Sequence, residues 1–340
     1  MTIAIDAMGG DLFPRNPVLG AIKAVKEKNI NIILVGDETA IKKELNGCHY
    51  DTQKVEIVHA SQIIGMDEAV ASAIRSKRDS SMRVCYNLHK NGDAEGVVSA
   101  GNSGAMLAIG RFVLRTIPGI DRPCISALLP SLKKNKVLLL DSGANMDCTP
   151  GNLLQFAILG EVYMRHIHSV RNPRIGLLNV GTEEGKGDEL TKESYKLLKD
   201  TSMNFAGNIE GKEFFDGDLD IVVTDGFAGN VLLKSVQGAA NFVTRALKQE
   251  IKRSFSAKIG AALMKPAFDH LKKRTNYAEF GGAPLLGLKG NGIVCHGGSN
   301  PDALLFGINF ANWAAEARLV ERMEEKILEY HDLLNRHESF

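Results

Sequence analysis

The feature that most restricts how this 340-residue chain can fold is a series of short runs that are apolar at successive positions. They fall at residues 3–7, 32–35, 55–58, 96–98, 126–129, 137–140, 175–180, 221–224 and 293–295, and β-branched residues are frequent in them. A strand with one wet face alternates apolar and polar side chains, so runs apolar throughout are buried on both faces. Helical stretches separate most of them, for example 17–28, 152–165 and 191–200. Thr149 before Pro150 and Asn300 before Pro301 read as helix starts, a capping side chain followed by proline in the first turn. Alternating strands and helices predict an α/β fold: a mostly parallel sheet with helices on both faces. No internal repeat or low-complexity linker divides the sequence, so one α/β domain is expected over 1–340.

One stretch breaks the alternation. Residues 236–276 carry helix formers and charge without a strand signal, and are expected to form a helical hairpin excursion within the domain. Phe242, Val243, Ala246, Leu247, Ile251, Phe255, Ile259 and Leu263 mark an apolar stripe, mostly at steps of four. Four residues advance about 400° on a helix, so the stripe either winds around one long helix or crosses a break near 254–256. Between Arg245 and Arg274 nine lysines and arginines accompany two acids, in a chain whose net charge is only +1. That basic surface reads either as a solvated helix face or as a docking surface for an acidic partner or anionic lipid headgroups. The near-neutral total gives no sign of a nucleic-acid partner.

The five cysteines, Cys48, Cys85, Cys124, Cys148 and Cys295, form no CxxC pair, which points to reduced thiols in a cytoplasmic protein. The sequence runs from Met1 directly into a strand, so no signal segment is expected. No apolar run approaches the ~20 residues a spanning helix needs.

The chemistry concentrates in glycine-rich loops after the apolar runs: 6–11, 36–37, 99–105, 141–145, 181–187, 225–230 and 296–299. In an open α/β sheet such loops form the ligand crevice at the carboxyl ends of the strands, so all seven are expected along one edge. Loop 99–105 leads into an apolar helix. Its glycines let N–H groups turn inward, and the helix start adds a partial positive charge. Asn102 and Ser103 add side-chain donors, or one of them caps the helix. Neither GxxxxGK[ST] nor GxGxxG is present, so this is neither a P-loop nor a dinucleotide fingerprint. Lys186, between glycines, either reaches over the crevice to neutralise an anion or is an ordinary surface lysine. Asn230 either donates to a developing oxyanion or caps a helix beginning at Val231. Cys295 and His296 are neighbours in an extended segment and point to opposite faces, which argues against a thiol nucleophile. His166 and His168 lack a metal-ligand context. Asp6, Asp11, Asp141, Glu183 and Asp225 either hold Mg²⁺ or, the favoured reading, organise the loops by accepting backbone hydrogen bonds.

Specific motifs run in order through the chain: IAIDAMGGD (3–11), ILVGD (33–37), SSM (80–82), SAGNSGA (99–105), GIDRP (119–123), LLLDSGAN (138–145), LLNVGTEEGKG (177–187), VVTDGFAGNV (222–231) and YAEFGGAPLLGLKG (277–290). In these the sequence resembles the acyl-[acyl-carrier-protein]:phosphate acyltransferases of bacterial phospholipid synthesis. Two departures are Ala69-Val70, where the family usually has a proline near Asp67-Glu68, and Ser142, where an apolar residue is common. The resemblance implies a fold related to phosphotransacetylases and isocitrate-type dehydrogenases, and a homodimer at the cytoplasmic face of the membrane. It implies that inorganic phosphate attacks the thioester of a long-chain acyl-acyl-carrier protein, giving an acyl phosphate for a downstream membrane acyltransferase. No metal or cofactor is needed.

On that basis Gly101, Asn102, Ser103 and Gly104, with Gly297, Gly298 and Ser299, are expected to hold phosphate, and Lys186 and Asn230 to be catalytic. Asp6, Gly9, Gly10, Asp11, Asn145, Glu183, Asp225 and Phe227 are expected to organise the loops or touch substrate. Leu263, Met264 and Phe268, among Lys258 and Lys265, are expected to meet the membrane or the carrier protein. The alternatives are a short-chain phosphate acyltransferase using acyl-CoA, and a membrane-associated scaffold for lipid-synthesis enzymes.

Overall fold

The computed structural model describes residues 1–133, 136–275 and 282–335, with the backbone alone for 272–275 and 335. Twelve strands lie in this part of the chain: β1 (Thr2–Asp6), β2 (Asn31–Gly36), β3 (Val55–His59), β4 (Gly96–Ser99), β5 (Cys124–Ile125), β6 (Ala127–Pro130), β7 (Lys136–Leu140), β8 (Ile175–Leu178), β9 (Phe205–Ile209), β10 (Ile221–Val223), β11 (Ala283–Leu286) and β12 (Gly292–Val294). They form two sheets rather than the one expected. The first has seven strands in the order β3-β2-β1-β4-β12-β11-β5, the second five in the order β6-β7-β10-β8-β9. Pairing is parallel except where β11 meets β12 and β5, and where β6 meets β7.

Ser126 is the crossover. It stands between β5 in one sheet and β6 in the other, and both its N–H and its hydroxyl donate to Pro284 O, at 3.0 and 3.1 Å. A single serine thereby ends one sheet and starts the next without an unpaired buried backbone donor.

Every apolar run read from the sequence lies on a strand. β9, with Gly207 and Asn208 in it, and β11, with Pro284, were not anticipated because their residues are poor strand formers. One buried cluster extends through both sheets, from Ile3, Ile5 and Leu34 to Leu138, Leu140, Ile221 and Val223. The Pro150–Ile167 helix belongs to it: Leu153 through Met164 are buried without interruption, so this helix lies inside the protein. Each such leucine or phenylalanine contributes roughly 1.5–3 kcal/mol on burial. The helix start is a capping box, Thr149 Oγ1 accepting from Asn152 N while Asn152 Oδ1 accepts from Thr149 N. Asn300 likewise caps the Pro301–Glu316 helix through Ala303 N at 2.9 Å.

The expected hairpin region is helical but has three helices, Gly226–Arg253, Phe255–Leu263 and Lys265–Thr275. The first starts ten residues earlier than the helical excursion read from sequence. The apolar stripe crosses a break: Ser254 is extended and its hydroxyl caps the second helix through Ala257 N at 3.0 Å. Of the long helix only Gly226, Gly229 and Leu233 are buried. Phe242 and Val243 are 72% and 61% exposed, so this part of the stripe lies largely open, while Ala246 and Ile251 are half-buried. The side chains of Lys272, Lys273 and Arg274, and the 277–281 part of the YAEFGGAPLLGLKG motif, lie outside the described residues.

His168 follows the inner helix. Burial and then nearby Lys136 push its imidazole down to about 4, and its ring lies 5.4 Å from that of Tyr163. A base whose pKa falls on folding supports the native state only while neutral. Its contribution is therefore complete above about pH 6.5, the ordinary value for histidine, and is lost as pH falls toward 4. A shift of that size corresponds to roughly 3 kcal/mol. Urea titrations at pH 7.5 and 5 should show a stability loss in the wild type that is smaller in His168→Gln. Equal losses in the two proteins would rule this out.

Candidate active site

The seven glycine-rich loops do follow parallel strands, but on two edges. Those after β1, β2, β4 and β12 belong to the first sheet, and those after β7, β8 and β10 to the second.

At the first edge the buried carboxylate of Asp6 is the hub. It accepts from Ser81 Oγ and Ser99 Oγ, each at 2.6 Å, and from Met8 N at 3.2 Å. Burial raises its pKa above the usual carboxylate range, and those three donors work against the rise. Ser99 Oγ in turn accepts from Gly101 N at 3.0 Å. Gly9 fits here only because it lacks a side chain: a Cβ would stand 2.8 Å from both Asp6 Oδ2 and Gly101 N. Gly10, at φ +102°, turns the chain so that Asp11 N reaches Gly297 O at 2.9 Å, which ties the β1 loop to the β12 loop.

Asn102 is the helix cap of this loop, its Oδ1 accepting from Ala105 N at 3.0 Å. Its Nδ2 donates to Met66 O and Glu68 O, at 2.7 and 3.3 Å, so the amide is fully engaged with the 66–68 segment. That leaves Ser103 N, Gly104 N and the Ser103 hydroxyl, none with a partner among the described residues, at the positive end of the Ser103–Leu114 helix. In the 297–299 turn, Gly298 N donates to His296 Nδ1 at 3.0 Å and Ser299 N to His296 O at 2.9 Å. The carboxylate of Asp11 lies against Gly297 and Gly298. A cavity of about 170 Å³ opens between this turn and the start of β6, bordered by Ser126, Leu128, His296, Ser299 and Asn300. It adjoins the capped start of the Pro301–Glu316 helix, a second positive helix end.

At the second edge the hub is Asp141, which is fully buried. Its carboxylate accepts from the backbone N–H groups of Ile125, Gly143, Ala144 and Asn145 and from Asn145 Nδ2, at 2.7–3.2 Å. Burial still raises its pKa against these donors. Asn145 Nδ2 also reaches Pro123 O at 2.9 Å. Asn145 O receives Gly226 N at 2.7 Å. The cap of the long helix is Asp225, whose carboxylate accepts from Ala228 N at 2.7 Å. Asn230 is therefore not a cap at a helix start; it lies inside the helix, one turn from the end. Gly229 packs on β7 so closely that a Cβ would stand 1.9 Å from Asp141 O, and Asn230 lies against Gly143. Phe227, in the first turn, is 65% exposed.

The β8 loop is held from both sides. Asn179 Nδ2 donates to Lys186 O at 3.0 Å and Asn208 Nδ2 to Glu183 O at 2.9 Å. The Lys186 side chain is exposed and makes no ion pair among the described residues, although Glu183 and Glu184 are close in sequence. Its strand is the neighbour of β10, which leads into Asn230, so the two loops stand side by side.

The alternatives for catalysis are poorly poised. Burial pushes the Cys295 thiol up to about 12, far from the thiolate a nucleophile needs. Ser142, a departure from the family pattern, is satisfied by donating to Ile125 O at 3.0 Å. At the other departure Ala69 precedes a helix, Val70–Ser76, with no side-chain cap.

Two residues stand out here that the sequence reading did not single out as site residues. Ser81 completes the Asp6 hub, and its signals were its place in the SSM motif (80–82) and the small-polar pair Ser80-Ser81 before a helix. His296 was weighed only against its neighbour Cys295. With Nδ1 accepting from Gly298 N, the neutral ring carries its proton on Nε2.

The family described as "Fatty acid synthesis protein" matches residues 1–322. A protein of Geotalea uraniireducens (strain Rf4) named "Phosphate acyltransferase" is 48% identical over 333 residues, 98% of this chain and 96% of that one. Its namesake in Geobacter sulfurreducens is 47% identical over 334 residues, 97% and 96% of the two chains. Among solved structures, a phosphotransacetylase from Streptococcus pyogenes superposes with a TM-score of 0.63 at 17% identity, covering 94% of each chain. A branched-chain phosphotransacylase from Enterococcus faecalis V583 does so with a TM-score of 0.56 at 17% identity, covering 93% of this chain and 99% of that one. At that identity the two structures establish a common fold. The sequence matches go further, and by them this chain belongs to the fatty acid synthesis protein family whose curated relatives are phosphate acyltransferases.

Proposed function

We propose that this chain is an acyltransferase that moves a fatty acyl group from the thioester of acyl-carrier protein to inorganic phosphate, giving acyl phosphate for phospholipid synthesis. The observation that carries the reading is the match to phosphate acyltransferases at 48% identity over 98% of the chain.

The chemistry asks for little that the site lacks. Phosphate is substantially ionised near neutral pH and is a ready nucleophile. One of its oxygens bonds to the thioester carbonyl carbon, the tetrahedral oxyanion collapses, the C–S bond breaks, and the thiolate leaves and takes up a proton. The protein has to hold two anionic reactants together and favour the oxyanion. The unpartnered N–H groups of Ser103 and Gly104, and the small cavity by Ser299 at the start of the Pro301–Glu316 helix, suit the phosphate. The exposed ammonium of Lys186 offsets the repulsion between phosphate and oxyanion, and the Asn230 amide donates to the carbonyl oxygen. Ideal placement of two reactants is worth roughly 7–11 kcal/mol, so positioning is the main tool. Incubating the purified protein with palmitoyl-carrier protein and phosphate, and assaying acyl phosphate, tests the reading. Equal turnover of acetyl-CoA would favour the short-chain alternative, and no turnover at all the scaffold.

No helix among the described residues is long and apolar enough to cross a membrane. The reading includes a peripheral contact instead. Leu263 and Met264 are 79% and 54% exposed at the turn between the two short helices, with Lys258 and Lys265 exposed nearby. Apolar residues among lysines suit shallow insertion at an anionic surface. The half-covered Phe268 belongs to the same turn, and the acidic carrier protein is a second candidate for this surface. The open stripe at Val243, Leu247 and Ile251 suits packing in a homodimer.

Three outcomes are expected. Lys186→Ala and Asn230→Ala should each lower kcat by about 10²-fold or more, the scale of a lost oxyanion contact, with an unchanged circular dichroism spectrum. A folded variant with near-normal turnover would remove that residue from the mechanism. Gly104→Leu, whose side chain meets Val70 beside the free N–H groups, should raise the phosphate KM about tenfold, equivalent to ~1.4 kcal/mol. An unchanged phosphate dependence would move the anion elsewhere. The double variant Leu263→Glu/Met264→Glu should stop sedimenting with anionic vesicles while keeping its activity in a detergent-free soluble assay. Cosedimentation equal to wild type would end the membrane role of this turn.

A further inference from the structure

Beside the small cavity lies a larger apolar one of about 670 Å³, within the roughly 300–1,000 Å³ typical of small-ligand sites. Its walls come from separate parts of the chain: Leu129 at the end of β6, Phe215, Val236 and Ala240 on the long helix, and Leu271 on the returning helix. His296 borders both cavities, so the two meet at that ring. The long helix supplies a second connection. Gln237, which also lines the cavity, is seven residues beyond Asn230. Seven residues are close to two turns, so both side chains lie on one helix face, about 10 Å apart along the axis. The apolar cavity therefore begins about two turns along the helix from the proposed oxyanion donor and reaches His296 at its other border.

We infer that this cavity is the binding site for the hydrocarbon chain of the fatty acyl substrate, and that Ala240 sets how long a chain it accepts. The inference rests on the acyl-transfer reading above and adds the location and the selectivity of its apolar half. An apolar chain gains about fourfold in affinity for each methylene it buries, so a cavity of this kind separates long from short donors strongly. A second copy of this chain is the competing occupant, since the helix face bearing Val236 and Ala240 runs on into Val243 and Leu247. The walls favour the acyl chain. Four segments of one chain border the space, and it adjoins the smaller cavity at His296, whereas Val243 and Leu247 stand open on the helix beyond it.

Ala240 is exposed on the helix surface, so Ala240→Trp narrows the cavity without disturbing the core, and Ala240→Leu narrows it less. Wild-type protein should bind the fluorescent fatty acid cis-parinarate and release it to palmitate. Ala240→Trp should weaken that binding at least tenfold. In the phosphate-dependent assay the ratio of kcat/KM for palmitoyl- over hexanoyl-carrier protein should fall at least tenfold in Ala240→Trp and by less in Ala240→Leu. Acyl phosphate formation with an unchanged chain-length ratio in both variants would overturn the cavity while leaving the reaction intact. Chain-length-selective fatty acid binding that Ala240→Trp abolishes, in a wild-type protein that forms no acyl phosphate, would overturn the reaction and support the cavity. Dissociation of a dimer by Ala240→Trp, with fatty acid affinity unchanged, would assign this face to a second copy instead.

Discussion

The site depends on one buried carboxylate. Asp141 directly follows β7 of the second sheet, yet one of its donors is Ile125 N, the last residue of β5 in the first sheet. The same group holds the backbone of Gly143, Ala144 and Asn145. Asn145 then fixes the start of the long helix through Gly226 N. An unpaired charge in this position would be strongly destabilising, and the cluster of N–H donors is what makes it tolerable. The sheet crossover, the 141–145 loop and the helix that carries Asn230 are thus parts of one hydrogen-bonded assembly. Asp6 has the matching role at the other edge, holding Ser81, Ser99 and, through Ser99, Gly101.

These two hubs suit the proposed catalysis. A reaction whose nucleophile is already an anion gains most from fixed dipoles and a fixed approach. Rigid loops supply both. Buried carboxylates whose oxygens are consumed by hydroxyl and backbone donors are poorly placed as general bases, and the cysteine beside the site is kept as a neutral thiol by burial. Among the described residues, the groups beside these loops that no such contact consumes include two helix N–H groups, the Lys186 ammonium and the Asn230 amide, and these are the ones the proposed reaction uses.

Much of this was legible in the residues. The doubly buried strands and the Thr149 and Asn300 caps follow from local physics, continuous apolar runs and capping oxygens before proline, while the drifting apolar stripe left a break near 254–256 as one of two readings. The division into two sheets was not legible, because it depends on which strands pair, a nonlocal choice made at Ser126. The start of the long helix was misjudged for a related reason. Gly226 and Gly229 disfavour helix intrinsically and read as loop, yet they are helical because only a residue without Cβ can approach Asn145 and Asp141 so closely. The engagement of Asn102 with residues 66–68 is likewise a contact between distant segments, and so is the convergence of two cavities on His296.

The glycines at the base of the long helix have a consequence for how such an enzyme can change. Its first turn is pressed against backbone at Asn145 and Asp141, where a side chain on Gly226 or Gly229 collides, so these two positions have almost no freedom to vary. From Lys234 outward the same helix is largely exposed and touches little of the core. One rigid rod therefore joins a segment closed to substitution with one open to it. Mutational drift can reshape the outer part, and with it whatever the protein accepts or touches there, while the inner part keeps Asn230 in register with the 141–145 loop.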